Sequence, residues 1–145
     1  MKKSPAFTLV EVLISITVIA IISLMASPLY SMIRVRNNLE LAANVVAQNM
    51  RRAQILAEAS REDSDWSIRV EPGKVTIYKG NDFETRDASF DEVSELSSDI
   101  TPQGVLEVTF SEFSGLPNAT GILTFVSNEN ETHIITIGAK GSIHS

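Results

Sequence analysis

The chain has 145 residues, no cysteine and a formal charge of −6. That length leaves room for one globular domain of modest core beside any N-terminal segment, and the lack of cysteine excludes disulfides and thiolate metal ligands. Lys2, Lys3, Arg34, Arg36, Arg51 and Arg52 all fall within the first 52 residues, so the remainder is more acidic than the total implies, which argues against a broadly basic nucleic-acid surface.

Lys2 and Lys3 precede Ser4-Pro5-Ala6, and from Phe7 an apolar run begins in which Glu11 is the lone charge before Arg34. At about 1.5 Å per helical residue, the uncharged stretch after Glu11 is long enough to cross a hydrocarbon core of roughly 30 Å. The two lysines predict that the N-terminal end stays cytoplasmic while the bulk of the chain is exported. A carboxylate near the start of such a span costs on the order of a few kcal/mol unless it is neutralised. Its own chain offers no cation within a helical turn or two, so the neutralising charge is expected from another molecule. An ordinary secretory signal has an apolar core of about 7 to 15 residues and a small-residue cleavage site. Leu24-Met25-Ala26-Ser27 supplies the small residues, but the longer run, Glu11 and the adjacent Pro28 do not fit. A plain membrane anchor gives Glu11 no reason to exist.

A cut between Ala6 and Phe7 would create a new α-amino group four residues before Glu11. The basic leader, small Ala6, and Phe7, Thr8, Leu9, Glu11 and Leu13 resemble the class III signal of type IV pilins and type II secretion pseudopilins, over Ala6 to Ile22. The resemblance implies that residues 1–6 are a leader removed by a membrane-embedded aspartyl prepilin peptidase and that Phe7 is N-methylated. It also implies assembly through Phe7, Thr8 and Glu11, the carboxylate pairing with the N-terminal amine of a neighbouring subunit. The residue before the cut is most often Gly in that family, and here it is Ala6. The implied architecture is α+β, the pilin fold: a long, kinked transmembrane helix packed on an antiparallel β-sheet head. The implied partners are the prepilin peptidase, other pilin or pseudopilin subunits, the inner membrane and a secretion or pilus assembly platform. A single pass through the inner membrane, with the head outside the cytoplasm, follows from the same likeness.

Beyond the apolar run, Val35, Leu39, Ala42, Val46, Asn49, Ala53 and Leu56 recur at spacings of three and four. Arg36, Asn37, Glu40, Asn44, Gln48, Arg51, Arg52 and Glu58 fall on the other faces. One helix over residues 7–59, roughly 80 Å long, is expected, with 7–33 in lipid or a filament core and 34–59 packed on a head formed by 60–145. Pro28 removes an internal hydrogen bond and should kink it.

From Arg61 the period becomes alternating. Trp66 to Val70 and Lys74 to Tyr78, joined by Glu71-Pro72-Gly73, read as a β-hairpin with Ile68, Val70, Val75 and Ile77 inward. Strands are also expected over 105–110, 121–126 and 132–137, with a short last one at Ser142-Ile143. Residues 80–104 carry Asp82, Glu84, Asp87, Asp91, Glu92, Glu95 and Asp99 without the ordered ligand pattern of a calcium loop, so a solvated acidic loop is expected there. The same residues could instead contact another subunit. Phe110 to Pro117, the strand from Gly121 to Phe125 and the ending Ile134 to Ile143 resemble the H-type minor pseudopilin branch, which implies a sandwich-like pair of sheets on the helix.

His133 and His144 stand alone, and no nucleophile setting, glycine-rich phosphate loop or metal-ligand spacing is present. The reading is a non-enzyme without cofactor or metal: a structural minor subunit of a type II secretion pseudopilus or a pilus-like filament. Two alternatives stand beside it. One is a DNA-binding minor pilin, against which the final stretch offers only Lys140 and His144 with Glu129 and Glu131 close by. The other is a membrane-anchored β-domain that never polymerises.

Overall fold

The structure, a computed structural model, describes residues 8–144, except the side chains of residues 25–32. One helix, α1 (Leu9–Glu58), is followed by eight strands: β1 (Trp66–Glu71), β2 (Lys74–Lys79), β3 (Glu92–Glu95), β4 (Ile100–Gly104), β5 (Glu107–Phe110), β6 (Gly121–Ser127), β7 (Thr132–Ile137) and β8 (Ile143–His144). The chain divides between Arg34 and Val35 into an N-terminal unit and a head, which are described separately.

In the N-terminal unit the helical assignment is unbroken through Pro28. Among the described residues no helix is long and apolar enough to cross a membrane. The expected span, 7–33, extends into residues whose side chains lie outside the described ones. The described side chains of the apolar run stop at Leu24, short of the roughly 20 residues that a span requires.

In the head, the second part of α1 buries Leu39, Ala42, Ala43, Val46, Ala47, Met50, Ala53, Leu56 and Ala57 in one apolar core. The stripe is wider than the spacing predicted, because Ala43, Ala47, Met50 and Ala57 join it, and Asn49 is half-buried at its edge. Alanine at so many contact positions lets a helix approach a sheet closely. The expected polar faces, from Arg36 to Glu58, are exposed. The helix ends at Ser60, which takes the left-handed φ of 45° usually left to glycine. There the Ala57 carbonyl accepts from Ser60 N at 3.0 Å and from Phe113 N at 3.0 Å.

Two antiparallel four-stranded sheets complete the core, in the orders β3-β2-β1-β5 and β4-β6-β7-β8. The predicted hairpin is present with Ile68 opposite Ile77 and Val70 opposite Val75, and these four side chains are fully buried. Gly73, at φ 83°, supplies the turn after Pro72. From the second sheet Leu123, Phe125, Ile135 and Ile137 enter the same core. Side chains of α1 reach both sheets. Asn49 Oδ1 accepts from Ser94 Oγ of β3 at 3.4 Å, and Arg51 donates to the Ile143 carbonyl of β8 at 3.3 Å.

Two expectations are corrected. Residues 80–104 are not one solvated loop, since they contain a 3-10 turn (Ala88–Phe90) and the strands β3 and β4. Both strands lie at sheet edges, which explains why their sequences hide them. β3 is four residues with a glutamate at each end, and β4 contains Pro102 and Gly104, which an edge strand tolerates because one side of its backbone needs no partner. Likewise the strand expected over 105–110 starts only at Glu107, because Val105 and Leu106 carry the chain from one sheet to the other. Val105 N donates to the Ile122 carbonyl of the second sheet at 3.1 Å, and the Leu106 carbonyl accepts from Val70 N of the first at 2.8 Å.

That crossing turns on Gly104, which has a φ of 94° and backbone contact so close that a Cβ would enter the Ile122 carbonyl. Gly104→Ala should therefore cost about 2–4 kcal/mol. Denaturant titration of the detergent-solubilised chain checks this through emission from Trp66, which is buried; an unchanged midpoint would contradict the role given to the crossing.

Candidate functional site

The segment that carried the functional reading divides at the limit of description. Lys2, Lys3, Ala6 and Phe7 lie outside the described residues, so the expected cleavage and methylation positions have no geometry here. The Pro28 side chain is outside the description too. Thr8 and Glu11 are described, and the structure brings them together. Thr8 stands immediately before α1, and its Oγ1 accepts from Glu11 N at 3.3 Å. This is the N-cap half of a Thr-x-x-Glu capping arrangement, in which a side-chain oxygen satisfies one of the donors left free at a helix start. The carboxylate also sits in the first turn, where the helix dipole favours negative charge. Among the described residues, none of the ion pairs includes Glu11.

The surroundings that such a helix asks for are legible from its faces. Leu9, Val10, Leu13, Ile14, Ile16, Ile19, Ile21, Ile22 and Leu24 are all more than half exposed, and they cover every side of the helix, a pattern that belongs in lipid or inside a protein bundle. The polar side chains in this stretch are turned back on the backbone. Ser15 Oγ donates to the Glu11 carbonyl, Thr17 Oγ1 to the Leu13 carbonyl and Ser23 Oγ to the Ile19 carbonyl, each at 2.8 Å. A hydroxyl so engaged needs no water. Sequence reasoning passed over these three hydroxyls and the capping pair, although Thr8-x-x-Glu11 is a recognisable helix-start signal.

In the head, the acidic segment is held down by an aromatic pin. The Phe83 ring lies under two guanidinium groups, with Arg86 Cζ at 3.5 Å and Arg69 Cζ at 4.4 Å from its centroid. Tyr78 meets it edge-on, centroids 5.3 Å apart, an arrangement that aromatic and cation–π attraction both favour. Arg86 further donates to both carboxylate oxygens of Asp91, at 3.1 and 2.9 Å. The Tyr78 hydroxyl donates to Glu107 Oε1 at 2.5 Å. Burial first, and then that hydrogen bond, push the phenol well above its ordinary range, so it stays protonated. Beneath it Ser67 Oγ donates to the Gly80 carbonyl at 2.5 Å and pairs with Thr109 Oγ1 at 2.8 Å.

Several carboxylates of residues 80–104 thus have partners within the chain. Asp82 accepts from Glu84 N and Thr85 Oγ1, Asp87 from Ser89, and Glu92 from Arg52 of α1, with Nη2 to Oε1 at 2.7 Å. Among the described residues no group of three or more His, Cys, Asp or Glu side chains is placed to hold a metal ion. His133 of β7 lies opposite Phe125 of β6, and His144 of β8 lies opposite Thr136 of β7, so the two stand on different strands.

Residues 1–27 match the family described as the prokaryotic N-terminal methylation motif. The fold is similar to that of the minor pseudopilin EpsH from the type 2 secretion system of Vibrio cholerae. The TM-score is 0.52 and the identity 13%, over 74% of this chain and 94% of that one. At that identity the likeness is one of fold. Comparison with curated proteins gives no match.

One electrostatic consequence can be measured in the head. The hydrogen bond from Arg52, ahead of the charge itself, holds the Glu92 carboxyl below its ordinary range. A group depressed on folding stabilises the fold above its unfolded value, and the benefit is lost as pH falls through the folded value. Both side chains are more than a third exposed, so screening keeps the contribution below about 1 kcal/mol. Glu92→Gln should therefore cost a few tenths of a kcal/mol at neutral pH and nothing at about pH 2, read from denaturation midpoints at both values. A penalty that persists in acid would show that packing, and not charge, is lost.

Proposed function

We propose that this chain, whose N-terminal residues match the methylation motif and whose fold is similar to that of a minor pseudopilin, is a type IV pilin or type II secretion pseudopilin family member and a minor structural subunit of a short filament. It is processed between Ala6 and Phe7, methylated on Phe7, held in the inner membrane by the helix that follows, and then added to a type II secretion pseudopilus or a related pilus. The observation that carries the proposal is a helix that is apolar on every side, with its hydroxyls bonded inward and Glu11 as its one charge before Arg34.

The chemistry follows from the dielectric. A carboxylate moved among apolar neighbours without a counter-charge costs several kcal/mol, and removing one partner of a buried pair leaves that cost exposed. The α-amine of Phe7 on an adjacent subunit is the cation that processing creates at the right level of the bundle. Pairing it with Glu11 fixes the axial register of each subunit, because any slip leaves both charges unpaired in an apolar setting. Thr8 supports the arrangement by capping the helix start, so that the Glu11 backbone is already satisfied when the side chain takes its partner. Pro28 loosens the helix locally, which helps neighbouring helices pack. The head supplies contacts with other subunits and with the assembly platform, and its C-terminal half resembles the H-type minor branch. A structural role of this kind calls for no catalytic group.

Mass spectrometry of the N-terminal peptide from native membranes, with and without the prepilin peptidase, tests the reading. A chain beginning at N-methylated Phe7 only when the peptidase is present is expected; an intact Met1, or a cut near Ala26, would reduce the protein to an anchored or secreted β-domain. For the pairing, Glu11→Ala should leave the head folded and the chain membrane-bound while filament incorporation falls at least tenfold. Incorporation at the parental level would rule out register by charge.

A further inference from the structure

We propose that Phe113 and Leu116 form a docking knob for another protein, whose contact surface is an apolar socket edged by lysine or arginine. The two side chains are 74% and 48% exposed, and they sit on the loop between β5 and β6. A single exposed apolar side chain needs no explanation, but Phe113 has one, because its backbone lies in the left-handed region at φ 61°. A bulky residue adopts that conformation at a cost, and such cost collects where a contact requires it. Backbone hydrogen bonds hold the conformation, but they would do so for a small residue too, and the ring itself faces solvent.

The loop is built to hold this conformation. Phe113 N donates to the Ala57 carbonyl at the end of α1 at 3.0 Å, and Gly115 N to the Ser111 carbonyl at 2.9 Å. Ser111 N donates to the Leu116 carbonyl at 3.0 Å, and Glu112 N to Asp65 Oδ1 at 2.8 Å. Gly115, at φ 60°, leaves no room for a Cβ because the Glu58 side chain occupies that space. The aromatic is therefore presented by a rigid frame, so that little freedom would be lost on docking.

Charge selects the occupant. Glu58, Asp65 and Glu112 touch the loop or belong to it, and Glu62 and Asp63 lie in the strained turn just after α1. Of the nearby cations, Lys79 is offset by Glu62 at 3.8 Å, and Arg61 in the same turn is outnumbered by Glu58, Asp63, Asp65 and Glu112. An apolar centre with a carboxylate rim fits a socket whose rim is basic. It does not fit an anionic lipid surface. A second copy that met this loop with its own loop would set carboxylate against carboxylate.

The test places a photoreactive benzoylphenylalanine at position 113 of the full chain in native membranes, with the exposed Ile134 of β7 as the control position, and sequences the cross-linked peptides. The expected result is one discrete protein adduct from position 113 whose joined peptide carries Lys or Arg, with a yield that falls at least tenfold when Glu58→Lys and Glu112→Lys are introduced together. Identical adducts from both positions, an adduct to lipid or to a second copy, or a yield indifferent to the charge reversals would overturn the proposal. Phe113→Gly removes the ring and relieves the backbone. It should melt no lower than the parent and yet fail to compete for the adduct when co-expressed, and a clearly lower melting temperature would assign the ring to the fold instead. N-terminal processing is read in the same spectra, so a knob that fails and a leader that is not processed are told apart.

Discussion

Residues 9–58 form a single helix, and that helix has two different surroundings to satisfy. Up to Leu24 the described side chains are apolar on every side; from Val35 onward they divide into a buried stripe and an exposed polar face. A helix of the first kind is not stable in water as it stands, because the exposed apolar area has nowhere to go. One of the second kind needs a sheet to cover it, and two are present. The head is the minimum that buries the stripe, since both four-stranded sheets send their inward residues into one core with the alanine-rich side of α1. The described apolar side chains of the N-terminal stretch, by contrast, are largely exposed, and the proposed assembly would bury them.

The covering works because the two sheets are separate yet share a strand-to-strand crossing. Val105 bonds to the second sheet and Leu106 to the first, so that β4 and β5, neighbours in sequence, belong to different layers. The outer side of the first sheet is then closed by residues 80–91 through Phe83, Arg69 and Arg86. Buried Ser67, Thr76 and Thr109 are found on a sheet that would otherwise be half solvated. Their burial accounts for the Ser67 and Thr109 hydrogen bonds, since a hydroxyl taken from water must find another partner.

Much of this was legible in the sequence where periodicity was strong. The stripe of α1, the hairpin with its four inward residues and the strands β6 and β7 all follow from spacing and turn chemistry. What stayed hidden has a common physical cause. β3 and β4 are short edge strands, where proline and acidic residues are permitted and the alternating pattern is weak. The Phe83 pin depends on Arg69, which sequence spacing cannot place beside it. At the functional end, Glu11 stood out because its charge interrupts an apolar run. The inward hydroxyls of Ser15, Thr17 and Ser23 did not stand out, since serine and threonine in such a run read as neutral until their bonds are seen.

The charges of this protein sort by what a pair would be worth where it sits. Arg52–Glu92 and Arg36–Glu131 are solvent-exposed pairs, each contributing little and less still in salt. The head therefore rests on its apolar core, and loss of any one of these pairs leaves it folded. Glu11 is the reverse case. It stabilises no tertiary contact among the described residues, yet among apolar neighbours its pairing energy would exceed those of all the exposed pairs together. Arg86–Asp91, the more sheltered pair of the head, is satisfied within the chain, whereas Glu11 has no ion-pair partner among the described residues. In the proposed assembly, the head's apolar core accounts for its fold, and Glu11 would act only when a neighbour brings its cation.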